Sequence, residues 1–478
     1  MTKALISQYM PDMLISLVLA VITGFIFTYP NFKIEKNIAE NKPLHENFIY
    51  SPLVANNLGN VQDEVHHLAI AKKVMDGTWS LSDVHIYEHR DDINPVGKLP
   101  YIIGGLLSSI FGSILSFTKW KNFLFPFLSV IVGYFFLLLF LKNRWIAAWG
   151  IILILSGYSG FQLINAFLFR FDSVFTDYYP IISVLAEKYP SYQLILPFTF
   201  LFYLFCYQLL TRNNNTYCTI TGIFAGLSFY LYFYSFLGIG MQLGFLIVWT
   251  YFQRKRDLSL RFLVSGVIAL LIGLFHIKNT LVFMSDPNHI FKSMAIGLTK
   301  SLDYNIVKAG LELMVLGAIL VFFFWKIGAV REKIAFIFSI GIPVFLLMLL
   351  SGVTLSIPET QHFHTFEFRI ALFLSALLII SILLGKDYSI QRFRVLPLVQ
   401  IFLIAVIVLN STQILASEFY YQSKKSSLYY HRYIIDRDVV GAYTWLNNNT
   451  RKDAVIFRRR PGSIEEIDKI FKCCQGHR

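Results

Sequence analysis

Charge is scarce in this chain. Asp, Glu, Lys and Arg make up 15% of its 478 residues, against 55% hydrophobic residues and a mean hydropathy of +0.57. A soluble protein of this length needs far more polar surface, so a soluble globular fold is excluded. Cysteine is also rare, at four residues. Cys206 and Cys218 lie in or beside apolar runs, and Cys473 and Cys474 are adjacent, too close for an ordinary structural bridge. Four cysteines so placed say little about the fold. There is no low-complexity segment and no solenoid period. No cleavable leader pattern opens the chain, and the first apolar run, Met13–Tyr29, is long enough to remain as a membrane anchor.

What fills the sequence instead is apolar runs of about 17–24 residues, long enough to cross a bilayer as helices. They fall near Met13–Tyr29, Asn122–Leu141, Trp145–Leu168, Tyr192–Leu210, Tyr217–Phe236 and Leu237–Phe252. Others lie near Phe262–Phe283, Ala309–Trp325, Ile334–Leu350, Ile370–Leu384 and Val395–Ile414. The expectation is an all-α polytopic membrane protein with about eleven transmembrane helices. Residues 1–414 would form the membrane module and 415–478 a short tail. Gly238–Gly240 is the expected break between the two helices least separated by polar sequence.

The net charge of +13 would point to nucleic acid in a soluble domain. Here Lys and Arg flank the spans and anchor them, and no nucleic-acid partner is expected. Short basic turns at Lys142 and Arg144, Arg212, Arg254-Lys255-Arg256, Lys326 to Lys333, and Lys386 to Arg394 fall on one side. The positive-inside rule makes that side cytoplasmic, with the N-terminus inside and the tail outside. Pro100–Phe117 is apolar enough to raise the question of another span. Spanning would flip every later basic turn outward, so it is read as a helix at the outer interface.

The outside then carries the long loops: Pro30–Lys121, Phe169–Ser191, Met284–Lys308, Ser351–Arg369 and the tail. Long polar loops on a membrane scaffold are where function concentrates. The first loop holds Asp63-Glu64 ahead of a predicted helix through Lys72-Lys73 that Gly77 would end. An acidic helix start is favoured by the dipole, which is the plain explanation. A carboxylate near a low-dielectric interface is also a general base for a hydroxyl or amine. Further polar groups gather at Asp83 and Asp91 to Lys98, at Arg170, Asp172 and Asp177, and at Glu359, His362, His364, Glu367 and Arg369. Caps and solvated loops account for most such residues, and two histidines alone make an incomplete metal site. Arg369 is less expected at a helix start, where the dipole disfavours a cation, and a guanidinium there suits a phosphate. His276, Lys278 and Glu312 are the ionisable exceptions within spans. Ion-coupled transporters more often place such groups mid-membrane, whereas here polar chemistry collects at the outer interface.

Three stretches resemble the GT-C superfamily of integral membrane glycosyltransferases, which includes protein O-mannosyltransferases and lipid A aminoarabinose transferases. Asp63-Glu64 stands in a long first outer loop, followed by His67, Ala71 and Asp76-Gly77. Asp92-Ile93-Asn94-Pro95-Val96-Gly97-Lys98 leads into an apolar segment ending Ile110-Phe111-Gly112. It is similar to the family's His-Pro-Pro-Leu-Gly-Lys element and juxtamembrane helix, with Asn94-Pro95-Val96 replacing the doubled proline. Trp445-Leu446 to Thr450 looks like the Trp-Leu-x-x-x-Thr segment that opens the soluble part of bacterial members. The given sequence stops soon afterwards, so the sizeable C-terminal domain of those members is not expected here and its role in acceptor recognition is not carried over.

The resemblance implies a polyprenyl-phosphate sugar donor, inversion at the anomeric carbon, and a glycan, lipid or protein acceptor. It implies Asp63 as catalytic base with Glu64 assisting. Lys98 and Arg369 would meet the donor phosphate, Glu367 would lie beside them in the substrate site, and Asp172 or Asp177 would match a second acidic position. No cofactor is implied with certainty, and a divalent metal is compatible. A bacterial plasma membrane is the default location. Two other classes stay open: a lipid-linked sugar flippase or transporter, and a polysaccharide polymerase or ligase. An assembly scaffold explains the topology but leaves the carboxylates without a role.

Overall fold

The structure is a computed structural model. It describes residues 2–41, 46–50, 61–79, 97–155, 191–285, 298–299, 304–353, 357–358, 367–384 and 434–449. Among these the chain is helical apart from four strands of two or three residues. In chain order the helices are α1 (Thr2–Glu40), α2 (Val61–Met75), α3 (Leu99–Ile110), α4 (Ile114–Leu141) and α5 (Arg144–Leu155). They continue as α6 (Ser191–Arg212), α7 (Asn215–Leu231), α8 (Phe233–Phe252) and α9 (Arg256–Met284). The last are α10 (Tyr304–Phe324), α11 (Gly328–Val353), α12 (Arg369–Leu384) and α13 (Arg437–Asn449).

Among the described residues five helical stretches are long and apolar enough to cross a membrane: Met10–Tyr29, Ile114–Leu141, Gln193–Arg212, Ser235–Phe252 and Arg256–Val282. They mark the chain as a membrane protein. The expected span near Val395–Ile414 lies outside the described residues, as does the second half of Trp145–Leu168. With 12 residues, α3 is about 18 Å long, short of the roughly 30 Å hydrocarbon core.

Tight basic turns join α4 to α5, α6 to α7 and α8 to α9. Each turns on a left-handed residue: Lys142 (φ 59°), Asn213 (φ 49°) and Arg254 (φ 60°). After α8 the Lys255 amide returns to the Thr250 carbonyl at 3.0 Å, closing the helix end around that left-handed residue. Asn143 then caps α5 by accepting from the amides of Trp145 and Ile146, and Asn214 caps α7 by accepting from Thr216.

The break between α7 and α8 falls at Tyr232, whose backbone is extended (φ −160°, ψ 132°), and not at Gly238–Gly240. Those glycines lie inside α8, so the sequence-based boundary is corrected by six residues or more. Gly238 serves close approach: a Cβ there would stand 3.0 Å from the Glu367 carboxyl.

The chain divides into two compact units, each discontinuous in sequence. The first comprises residues 1–20, 128–184 and 195–417. Its centre is an aromatic cluster in which Phe136 and Phe140 of α4, Tyr203 and Tyr207 of α6 and Phe336 of α11 meet at centroid distances of 5.1–6.0 Å. Beside it α7 lies against α9. Gly222 and Gly226, four residues apart, face Ile268 and Ile272, and Tyr230 donates to the Ile272 carbonyl at 2.7 Å. Small residues at this spacing let two apolar helices approach where no hydrophobic effect drives them together. Asp12 is buried, accepts from the Tyr134 hydroxyl at 3.0 Å and pairs with Arg144 at 3.4 Å.

The second unit comprises residues 21–127, 185–194 and 418–478. Here α2 lies against α3. Gly105 of α3 sits on α2 so closely that a Cβ would come within 2.7 Å of the Ala71 carbonyl. Gly77 (φ +85°) ends α2 as expected, with the Thr78 amide returning to the Lys73 carbonyl at 2.8 Å. Gly112 (φ +81°) makes the corner between α3 and α4. Phe48–Tyr50 pairs antiparallel with Ile434–Asp436, so the segment before α13 is held to the first loop.

Candidate functional sites

In the second unit, α2 carries Asp63 and Glu64 on its first turn. Their side chains lie outside the described part of the structure. Helix geometry places Asp63 and His67, four residues apart, on one face, and Glu64 beside them. His67 Nδ1 stands 2.9 Å from the Tyr101 hydroxyl of α3. Tyr101 is 1% exposed, and burial pushes its phenol up, so it stays protonated. The α2 helix is thus tied to α3 at His67 and at the close approach of Gly105. Lys98 is the residue immediately before α3, half-buried, with no side-chain bond to the helix end.

A polar cluster that no motif in the sequence marks lies in the same unit. Lys121 is fully buried, with Asn122 and Gln193 beside it. Its ammonium donates to Asn122 Oδ1 at 3.3 Å and to Gln193 Oε1 at 3.4 Å, and Gln193 Nε2 donates to Asn122 Oδ1 at 3.3 Å. The available signal was a lysine abutting an apolar run, the same signal that a membrane anchor gives.

In the first unit, Glu367 and Arg369 lie at the start of α12 and are 4% and 6% exposed. Arg369 donates to the Ile154 carbonyl at 3.1 Å. Ile154 belongs to α5, so this bond ties the first residue of α12 to that helix. Glu367 lies over Gly238, and its Oε2 is buried with no hydrogen-bond partner. Burial pushes its carboxyl up to about 8.

Asp172 and Asp177 lie outside the described residues, as do Asp83, Asp91, Asp92, Asn94, Pro95, Glu359, His362 and His364. Among the described residues no three His, Cys, Asp or Glu side chains gather as metal ligands. His276 is buried within α9 among the rings of Phe229, Tyr230 and Phe236 at 5.8–6.3 Å. Cys206 and Cys218 are buried free thiols. No protein-family model matches the chain, and no curated protein matches it.

Proposed function

We propose that the chain is an inverting glycosyltransferase that moves a sugar from a polyprenyl-phosphate donor to a glycan, lipid or protein acceptor at the outer membrane face. The observation that carries the reading is the packing of α2 on α3. It puts a helix with an acidic first turn against a short apolar helix preceded by Lys98. A donor whose tail is confined to the bilayer presents its sugar phosphate at such an interface, where a carboxylate and a cation are both required.

In the proposed reaction the acceptor oxygen forms a bond to the anomeric carbon while the bond from that carbon to the phosphate oxygen breaks. The electron pair leaves with the phosphate, and the acceptor proton passes to Asp63. Glu64 supports the base, and Lys98 balances charge on the leaving phosphate. Arg369 and Glu367 are assigned to the substrate, as is one of Asp172 and Asp177. The finer topology belongs to the same proposal: about eleven spans, a cytoplasmic N-terminus, a 1–414 membrane module with a 415–478 tail, and a bacterial plasma membrane.

The test is transfer by the purified protein in lipid, with radiolabelled polyprenyl-phosphate sugars and wild type beside Asp63→Asn. Product from wild type alone supports the reaction and the base. Product from both moves the base elsewhere. No product with any donor or membrane acceptor favours transport of the same lipid-linked sugar.

A further inference from the structure

Two buried polar groups of the first unit remain without hydrogen-bond partners along one face of α8. Glu367 Oε2 is one, and Gln242 Nε2, on a side chain 1% exposed, is the other. Gly238 and Gln242 are four residues apart and so share a helix face. Helical side chains lean toward the N-terminus, which carries the Gln242 carboxamide over the turn that contains Gly238. At Gly238 the missing side chain leaves room, and the Glu367 carboxyl occupies that side, with Oε1 3.0 Å from where a Cβ would be. Carboxyl and carboxamide therefore reach toward the same patch of α8 without bonding to each other. A buried donor and a buried acceptor left in this state are costly unless something joins them.

We propose that Glu367 and Gln242 form a hydroxyl-binding recess over Gly238, and that its ligand is the sugar ring of a lipid-linked sugar. One hydroxyl satisfies both groups at once, accepting from Gln242 Nε2 and donating to Glu367 Oε2. The chemistry selects a neutral polyol over a phosphate. Gln242 is uncharged, Glu367 offers no positive charge, and the neighbouring cation Arg369 already donates to the Ile154 carbonyl. A sugar is chosen over other polyols on the strength of the transferase reading, whereas the recess itself stands on the two unpartnered atoms.

The experiment measures binding of a polyprenyl-phosphate hexose and of bare polyprenyl phosphate to the full chain in lipid nanodiscs, by tryptophan fluorescence. Wild type is expected to bind the hexose lipid about tenfold more tightly than the bare lipid, a difference of about 1.4 kcal/mol. Gln242→Leu keeps the bulk and burial but removes the donor, and is expected to abolish that increment while leaving bare-lipid affinity unchanged. Gly238→Ala, which crowds Oε1, is expected to do the same through space rather than polarity. Equal affinity of wild type for the two lipids, or no binding of the hexose lipid, overturns the proposal by leaving only water for the recess. An increment that survives in both variants overturns it as well. An intact increment with no sugar transfer in any assay would refute the transferase reading and leave the recess standing.

Discussion

Substituting Gly226 by Ala tests whether glycine contact holds α7 to α9. An added Cβ would stand 2.7 Å from Ile272 Cβ, 2.9 Å from its Cγ2 and 3.0 Å from its Cδ1. Carbon atoms at rest lie about 3.5–4.0 Å apart, so the helices must separate locally by roughly 1 Å. Ile272 is a β-branched residue on a helix and has little rotamer freedom with which to yield. Overpacking of this kind costs about 1–3 kcal/mol. The same displacement stretches the bond from Tyr230 to the Ile272 carbonyl, 2.7 Å in the native structure, worth about 1 kcal/mol. Against this stands the gain of about 0.5–1 kcal/mol that Ala brings over Gly in a helix. The net expectation is a loss of about 1–3 kcal/mol. Gly240→Ala is the control, because α8 leaves nothing within 4 Å of a Cβ there, and only the gain should appear.

The assay is thermal unfolding in detergent, followed by a thiol-reactive fluorophore in a background with Cys473 and Cys474 replaced by Ser and Cys206 by Ala. Cys218 reports this contact directly: it is buried on α7, and its thiol donates to the Arg261 carbonyl of α9 at 3.0 Å. Gly226→Ala should label at a temperature several degrees below wild type, and Gly240→Ala at or above it. Equal melting of Gly226→Ala and wild type would refute the account, because it would mean that α7 and α9 are held by something other than this contact.

Glu367 makes stability depend on pH. Its carboxyl is pushed up to about 8, against about 4.3 in an unfolded chain. A group whose folded value is raised contributes stability that is complete below the unfolded value and lost as pH rises through the folded one. Wild type should therefore melt lower at pH 9 than at pH 6, and Glu367→Gln should flatten that difference. At the opposite extreme, Asp12→Ala leaves the Tyr134 hydroxyl without its acceptor and Arg144 without its partner. A loss of about 1–3 kcal/mol is expected, read as a lower midpoint in the same assay. Glu332→Gln should change the midpoint little, because the Lys255–Glu332 pair at 2.7 Å is 42% and 29% exposed and such pairs are worth under about 1 kcal/mol.

The helices were legible in the sequence where one cause acts alone. Apolar runs flanked by basic residues read directly as spans, and Gly77 read as a helix stop because the turn after α2 needs a positive φ. Glycine inside an apolar run has two uses, a turn or a close approach, and the sequence does not separate them. Gly238 and Gly240 therefore pointed to a loop, while the bend belongs to Tyr232, a residue with no turn chemistry of its own. Only the partner resolves the ambiguity: Gly238 faces a carboxylate more than a hundred positions away.

Charge was misleading in the same way. Within its own helix Arg369 is out of place, since a cation at the first residue opposes the dipole. The structure supplies a partner 215 residues earlier, the Ile154 carbonyl, which the guanidinium meets. This engagement weakens the inference from misplacement to phosphate, since the oddity that pointed to a ligand now has a partner within the fold. For Glu367 and Gln242 the weight runs the other way. A search of the spans for ionisable residues passes over Gln242, which is uncharged, yet Gln242 and Glu367 each keep a buried end atom without a hydrogen-bond partner, which packing alone leaves unexplained. A polar ligand is therefore better sought at the neutral pair than at the guanidinium two residues along.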